Sequence, residues 1–287
     1  MATITGTSTT DTITGTGDSD FITALGGSDI VSALGGADLV YGNQGGDTLL
    51  GGSGADTMFG GQGDDTLSGS DDNDILYGNL GNDSILADGD SDVVYGGQGN
   101  DVIDGNYGAE TLYGNLGNDS ITGGDGADVV FVGSGNDTVT GDGRTDLIYG
   151  NAGRDSILGG AAADTIFGGA DNDFIDGGAD GDLIYGNKGG DSLLGSAGAD
   201  TIYGGAGLDT IFGGTGNGAL FGGADNDAVT GGSNNDLIYG NAGVDTLSGG
   251  AGLDTIFGGA DNDVIVGGAG NDLLHGKIGR ASCRVGG

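Results

Sequence analysis

Residues 51–68, GGSGADTMFGGQGDDTLS, are two nine-residue units of one design: glycines first, an Asp in sixth place (Asp56, Asp65) and a large apolar residue in eighth (Met58, Leu67). In an extended segment that apolar residue points one way and its two neighbours the other, because side chains alternate across a strand. The Gly-rich remainder is turn material, since Gly takes positive φ without steric cost. One nonapeptide therefore predicts a short strand of about three residues followed by a turn of about six, so that two nonapeptides close one coil.

The pattern extends in both directions without a break. Steps of nine from Asp11 to Asp272 make thirty positions, and 28 of them are Asp, the exceptions being Glu110 and Gly218. Two residues after each position comes a large apolar residue in all thirty cases, from Ile13, Ile22, Val31 and Val40 to Ile265 and Leu274. Four residues after it comes Gly, in 26 of the thirty. Alternate positions fall on opposite sides of the coil. One row reads Asp11, Asp29, Asp47, Asp65, Asp83, Asp101, Asp119, Asp137, Asp155, Asp173, Asp191, Asp209, Asp227, Asp245 and Asp263. The other reads Asp20, Asp38, Asp56, Asp74, Asp92, Asp128, Asp146, Asp164, Asp182, Asp200, Asp236, Asp254 and Asp272, with gaps at Glu110 and Gly218.

Composition agrees with a repeat architecture. The 287 residues include 73 Gly and no Pro or Trp, too little bulky side chain for a conventional core. Asp and Glu number 43 against 6 Lys and Arg, a formal charge of −37. Nucleic acids and anionic lipid surfaces both need a basic face, so neither is an expected partner, and cations are. The lone Cys283 excludes an internal disulfide framework and a Cys-rich metal site. No apolar run is long enough to span a membrane, and no charged-then-apolar N-terminal signal is present.

The copies GGSGADTMF (51–59), GGQGDDTLS (60–68) and GGAGNDLLH (267–275) match G-G-x-G-x-D-x-U-x with U large and apolar, so the chain resembles the RTX, or repeats-in-toxin, calcium-binding family over residues 6–276. The resemblance implies an all-β fold, a right-handed parallel β-roll of 18 residues per coil and about fifteen coils, uncapped at its ends and continuous over residues 1–276. It also assigns the ladder Asp side chains and the Gly-rich turn carbonyls as Ca²⁺ ligands, many ions in two rows, the second interrupted at Glu110 and Gly218. Elementary electrostatics asks for such ions. Stacked coils bring Asp residues 18 apart in sequence to within about 5 Å, where two carboxylates repel by about 3 kcal/mol at an effective dielectric of about 20. Hard oxygen ligands in irregular geometry suit Ca²⁺ better than Mg²⁺, which prefers a tight octahedron and keeps its waters. Seven off-ladder Asp, including Asp171, Asp225 and Asp261, stand where the repeat has Gly, and serve as extra ligands or as tolerated turn residues.

A second period runs along one face. Tyr41, Phe59, Tyr77, Tyr95, Tyr113, Phe131, Tyr149, Phe167, Tyr185, Tyr203, Phe221, Tyr239 and Phe257 recur every 18 residues, and His275 takes the next place. The residues two before them, among them Leu39, Ile75, Val93 and Leu147, share that outward face. Stacked rings stabilise their own sheet. So long an apolar stripe also marks an expected interface for self-association.

Several functions fit these features. The leading expectation is an extracellular or cell-surface structural protein whose calcium-loaded rods assemble into filaments or a surface layer, head to tail or through the aromatic face. The alternative is the calcium-binding part of a longer secreted enzyme, toxin or adhesin; RTX proteins usually leave by a type I route reading an uncleaved C-terminal signal. No nucleophile–base pair or H-E-x-x-H motif appears, so the chain is not expected to be an enzyme. Ice binding would call for unbroken Thr rows, and Ile30, Val102, Phe174 and Val264 interrupt them. Residues 277–287, KIGRASCRVGG, change composition abruptly and read as a non-native tail or a degenerate last repeat.

Overall fold

The structure, a computed structural model, describes residues 1–276 and the backbone of Ser282–Arg284. Every regular element among the described residues is a strand. Among the described residues no helix is long and apolar enough to cross a membrane. The backbone forms two compact units, Met1–Asp142 and Gly143–Gly287.

In each unit successive strands alternate between two parallel sheets. In the first unit one sheet runs through Thr3–Thr5, Phe21–Gly26, Leu39–Gln44, Thr57–Gln62, Ile75–Leu80, Val93–Gln98, Thr111–Leu116 and Val129–Ser134. The other runs through Thr12–Thr14, Ile30–Gly35, Thr48–Ser53, Thr66–Asp71, Ser84–Asp88, Val102–Asp104 and Ser120–Asp125. The second unit repeats the plan, from Leu147–Ala152 to Leu273–His275 in one sheet and from Ser156–Ala161 to Val264–Ala269 in the other. Each residue pairs with the one 18 further on, as Tyr41 with Phe59, Leu49 with Leu67 and Tyr239 with Phe257. The chain is thus a parallel β-solenoid of about fifteen coils, roughly 18 residues per turn. The reading of residues 277–287 lies outside the described residues, apart from the pairing of the Ser282–Arg284 backbone with Val264–Val266.

Strands are longer than the sequence suggests. Most span six residues, as Leu39–Gln44 does, and leave a turn of three where six were expected. Because every coil has the same length, the turn backbone repeats in register too: the Gly45 N–H donates to the Gln62 carbonyl at 2.8 Å and the Gly63 N–H to the Leu80 carbonyl at 2.8 Å. Pairing therefore continues past the strand proper.

Each strand has two inward positions. The residue two after the ladder acid fills the core: Leu49, Met58, Leu76, Ile148 and Ile166 are fully buried. The residue four after it also points inward, and the four places where Gly is replaced, Ala24, Ala33, Ala87 and Val132, are all buried. The ladder acids themselves lie inside, Asp47 and Asp65 being 2% exposed. Thus the interior of each coil holds an apolar centre with a row of carboxyl groups along each edge.

Candidate functional site

The turns hold the acids by a hydrogen bond that exists only because the coils stack. Along the ladder the N–H of one acid donates to Oδ1 of the Asp 18 residues later: Asp47 to Asp65 at 2.7 Å, Asp65 to Asp83 at 2.8 Å, Asp182 to Asp200 at 3.0 Å, Asp209 to Asp227 at 3.0 Å. The Asp backbone carbonyl is used as well, accepting from the residue that begins the strand above, as Asp47 does from Thr66 at 2.8 Å. This leaves one oxygen per carboxylate. Among the described residues Oδ2 is buried without a hydrogen-bond partner in Asp38, Asp47, Asp56, Asp65, Asp74 and Asp83, in Asp92, Asp101 and Asp119, and in the second unit in Asp164, Asp173, Asp182, Asp191, Asp200, Asp209, Asp227, Asp236, Asp245, Asp254, Asp263 and Asp272. Such atoms are costly unless something supplies positive charge or a proton.

The surroundings of Oδ2 are shaped by glycine. A Cβ placed on Gly42 would meet both Asp47 Oδ2 and the Gly60 carbonyl oxygen, the latter at 2.6 Å. A Cβ on Gly60 would likewise meet Asp65 Oδ2 and the Gly78 carbonyl at 2.9 Å. Further along the turn, the carbonyl oxygens of Gly27, Gly45 and Gly63 face Gly45, Gly63 and Gly81 of the next coil, again where a Cβ would stand. The glycines thus clear a cradle into which a carboxylate oxygen and main-chain carbonyls converge. Among the described residues no three acidic, His or Cys side chains come together. A cation here must draw most of its ligands from carbonyls, a donor set of hard oxygens that fits Ca²⁺.

Burial pushes many of the mid-ladder carboxyls up, with repulsion from nearby acids adding to it. Asp65, Asp74, Asp173, Asp182 and Asp227 reach about 7, and Asp56, Asp83, Asp101, Asp119 and Asp209 about 6.

The repeat is not uniform. At Asp11 and Asp20 the second oxygen is already capped: Thr16 donates to Asp20 Oδ2 from its N–H at 2.7 Å and its hydroxyl at 2.8 Å, and Thr7 does the same for Asp11. The N–H of Ala2 bonded to Asp20 holds that carboxyl below the usual range. These two acids are therefore set apart from the rest of the ladder. The signal is visible in hindsight, since GTSTTD (6–11) and GTGDSD (15–20) carry Thr where the repeat has its second Gly. Glu110 keeps half of the ladder bonding: its N–H donates to Asp128 Oδ1 at 2.9 Å, but no N–H among the described residues donates to its carboxylate. Its extra methylene, however, carries Oε1 against Gly108, and burial followed by the adjacent Asp128 carboxyl pushes it up to about 9. Gly218 keeps the bond to Asp236 Oδ1 at 2.8 Å but contributes no carboxylate.

The off-ladder acids Asp72, Asp90, Asp171, Asp180, Asp225 and Asp261 are exposed and left-handed, with φ between 70° and 78°. They act as turn formers at the rim; Asp72 Oδ2 accepts from the Gly54 N–H at 3.1 Å.

The aromatic column is a stack of rings. Within the first unit Tyr41, Phe59, Tyr77, Tyr95, Tyr113 and Phe131 follow one another at centroid distances of 4.6 to 5.1 Å, with planes within 8° of parallel. Within the second, Tyr149 to Phe257 stack at 4.7 to 5.2 Å, and His275 closes the column 4.5 Å from Phe257. Stacked rings cover one another's faces and leave their edges to solvent; each Tyr and Phe of the column from Tyr41 to Phe257 is half-buried, and His275 at the end is exposed.

Comparison with known proteins follows this geometry. The pattern of the RTX calcium-binding nonapeptide repeat, taken four copies at a time, matches overlapping or adjoining segments from 5–40 through 68–103, 104–139 and 185–220 to 248–280. No curated protein matches the chain. Among solved structures the chain is similar to a hyperactive, Ca²⁺-dependent, β-helical antifreeze protein from an Antarctic bacterium, at 20% identity and a TM-score of 0.50 over 95% of this chain and 82% of that one. At that identity the likeness concerns the fold alone.

Proposed function

The chain belongs to the family of RTX calcium-binding nonapeptide repeat proteins, and from that premise we propose that it is a calcium-binding structural protein of the cell exterior. The observation that carries this reading is the file of buried ladder oxygens, Asp47, Asp65 and Asp83 Oδ2 among them, that no hydrogen bond satisfies. Bound Ca²⁺ supplies the positive charge and the shared ligand shell that would lock one coil to the next. The chain's own residues prepare the place. Ladder carboxylates such as Asp65 spend Oδ1 on the preceding coil's N–H and keep Oδ2 for the turn, while the glycines hold that space open. We assign two rows of ions, one running along the Asp29 to Asp263 side, the other interrupted at Glu110 and Gly218. Asp11 and Asp20, capped by Thr7 and Thr16, stand outside both rows.

RTX repeats are typical of secreted proteins, and export by a type I route is the corresponding expectation. The half-buried rings suit lateral association into filaments or a surface layer, above all in the second unit, where Ala152, Ala170, Ala206 and Ala224 leave a low surface beside them, broken by Lys188. No catalytic role is proposed.

The test is circular dichroism and negative-stain microscopy of the full chain in millimolar calcium and again with excess chelator. We expect β signal and ordered particles with calcium, lost on chelation and regained on adding it back, and lateral assemblies that lengthen with protein concentration. A fold indifferent to chelator would falsify the calcium reading. Monodisperse single particles in calcium would sink the assembly reading alone.

A further inference from the structure

Beside the ring column of the first unit lies a groove that the metal chemistry does not use. Its bottom is formed by the residues two after each ring, Asn43, Gly61, Asn79, Gly97 and Asn115. The side opposite the rings is formed by the residues three after, Gln44, Gln62, Leu80, Gln98 and Leu116. One stretch of about 640 Å³ extends from Leu25 to Leu80 and the next, of about 500 Å³, from Tyr77 to Leu116; they share Asn79 and Leu80 and so form one channel across the strands. With neighbouring strands roughly 4.8 Å apart, the groove spans about 24 Å along the stack.

Its chemistry is unlike the rest of the molecule. No lining residue is charged, in a chain of net charge −37. The amides of Gln44, Gln62 and Gln98 are exposed and make no hydrogen bond among the described residues. Asn43, Asn79 and Asn115, by contrast, are fixed by donating to the carbonyls of Tyr41, Tyr77 and Tyr113. The fold does not need the long side chains. The same place in the second unit is held by Ala at six of seven positions from Ala152 to Ala260, with Lys188 at the seventh, and the strands there pair in the same register.

We infer that this groove binds a neutral, hydroxyl-rich linear polymer, a glycan chain laid along the stack. The ring edges present a weakly positive C–H rim that suits ether and hydroxyl oxygens, and the glutamines supply both donors and acceptors at intervals set by the strand spacing. An extended peptide would need free main-chain groups, but those lining the groove are already spent in the parallel ladder. An acyl chain would bury the glutamine amides without partners. Nucleic acids and acidic polymers are repelled by the surrounding charge. A second copy of this chain meets the same obstacle, because its rings would cover the amide row and leave it unsatisfied.

The experiment is calorimetric titration of the folded full chain with cellohexaose and with maltohexaose, beside an anionic galacturonate hexamer. At least one neutral hexasaccharide is expected to saturate the protein while the anionic one does not. The triple variant Gln44→Ala, Gln62→Ala, Gln98→Ala should weaken binding about tenfold or more and leave the circular dichroism spectrum unchanged, since Ala occupies that place in the second unit. Absence of binding by both neutral probes, or affinity that the triple variant leaves intact, overturns the inference. So does self-association abolished by the same variant, which would assign the groove to a second copy.

Discussion

At the scale of single residues, the ladder acid has three attachments of different origin. Its carbonyl belongs to the parallel ladder, its N–H donates to Oδ1 of the Asp in the next coil, its own Oδ1 secures the coil before it, and its Oδ2 is left over. The two interruptions test what Oδ2 is for. A Cβ on Gly218 would come no closer than 3.4 Å to any atom, ordinary van der Waals contact, so Gly218→Asp fits without strain. We expect it to raise the bound calcium by one ion, counted by native mass spectrometry. Glu110→Asp withdraws the carboxylate from Gly108 and restores the ladder geometry, with the same expected gain. An unchanged ion count in both variants would mean that Oδ2 is not the oxygen that recruits the metal. Gly42→Ala should do the opposite, because its methyl would meet Asp47 Oδ2 and the Gly60 carbonyl inside the cradle. A loss of roughly 1–3 kcal/mol in calcium-bound stability is expected from overpacking of this kind.

At the scale of the element, a six-residue strand cannot stand alone, and its stability comes from identical neighbours on both sides. The ring column makes this visible. Tyr95 stacks on Tyr77 at 4.8 Å and on Tyr113 at 4.7 Å, so Tyr95→Ala removes two stacks of about 0.5–1.5 kcal/mol each together with the burial of the ring. The melting temperature with calcium bound should fall by several degrees, and hydrogen exchange should accelerate first in Ile75–Leu80 and Thr111–Leu116, the two paired strands. Exchange that rises uniformly through the first unit would argue against such local coupling. The Phe21–Tyr41 contact, tilted by 52° at 5.8 Å, is where the column begins, because Thr23 rather than a ring pairs with Tyr41.

At the scale of the whole molecule, the buried acids set how the fold answers to pH. Without metal, a carboxyl whose pKa rises on folding takes up a proton. Its contribution is fully present below its unfolded value of 3.8 and is lost as the pH climbs through 6 to 7 for acids such as Asp83 and Asp74. The metal-free chain is therefore expected to be most structured in acid and to lose β signal on the way to neutrality, followed by circular dichroism in chelator. Calcium and protons compete for the same oxygens, so calcium binding to the acid-structured, metal-free chain should release protons at about pH 5.5 and tighten as the pH is raised toward about 7.5. Calcium binding at about pH 5.5 with no proton release would contradict the assignment of the ladder acids as ligands. Much of this architecture is determined by the sequence alone: a nine-residue period unbroken from Asp11 to Asp272 specifies coil length, register, the core column and the acid rows, because each repeat meets only copies of itself. What tertiary structure decided lies where one coil touches the next. Only stacking reveals that Oδ1 is consumed and Oδ2 orphaned, and that pairing continues through half of each expected turn. The groove formed by Gln44, Gln62 and Gln98 beside the rings was hidden for the same reason. A period names which residues recur, but the direction of a side-chain oxygen and the depth of a surface depend on atoms 18 residues away in sequence and one strand away in space.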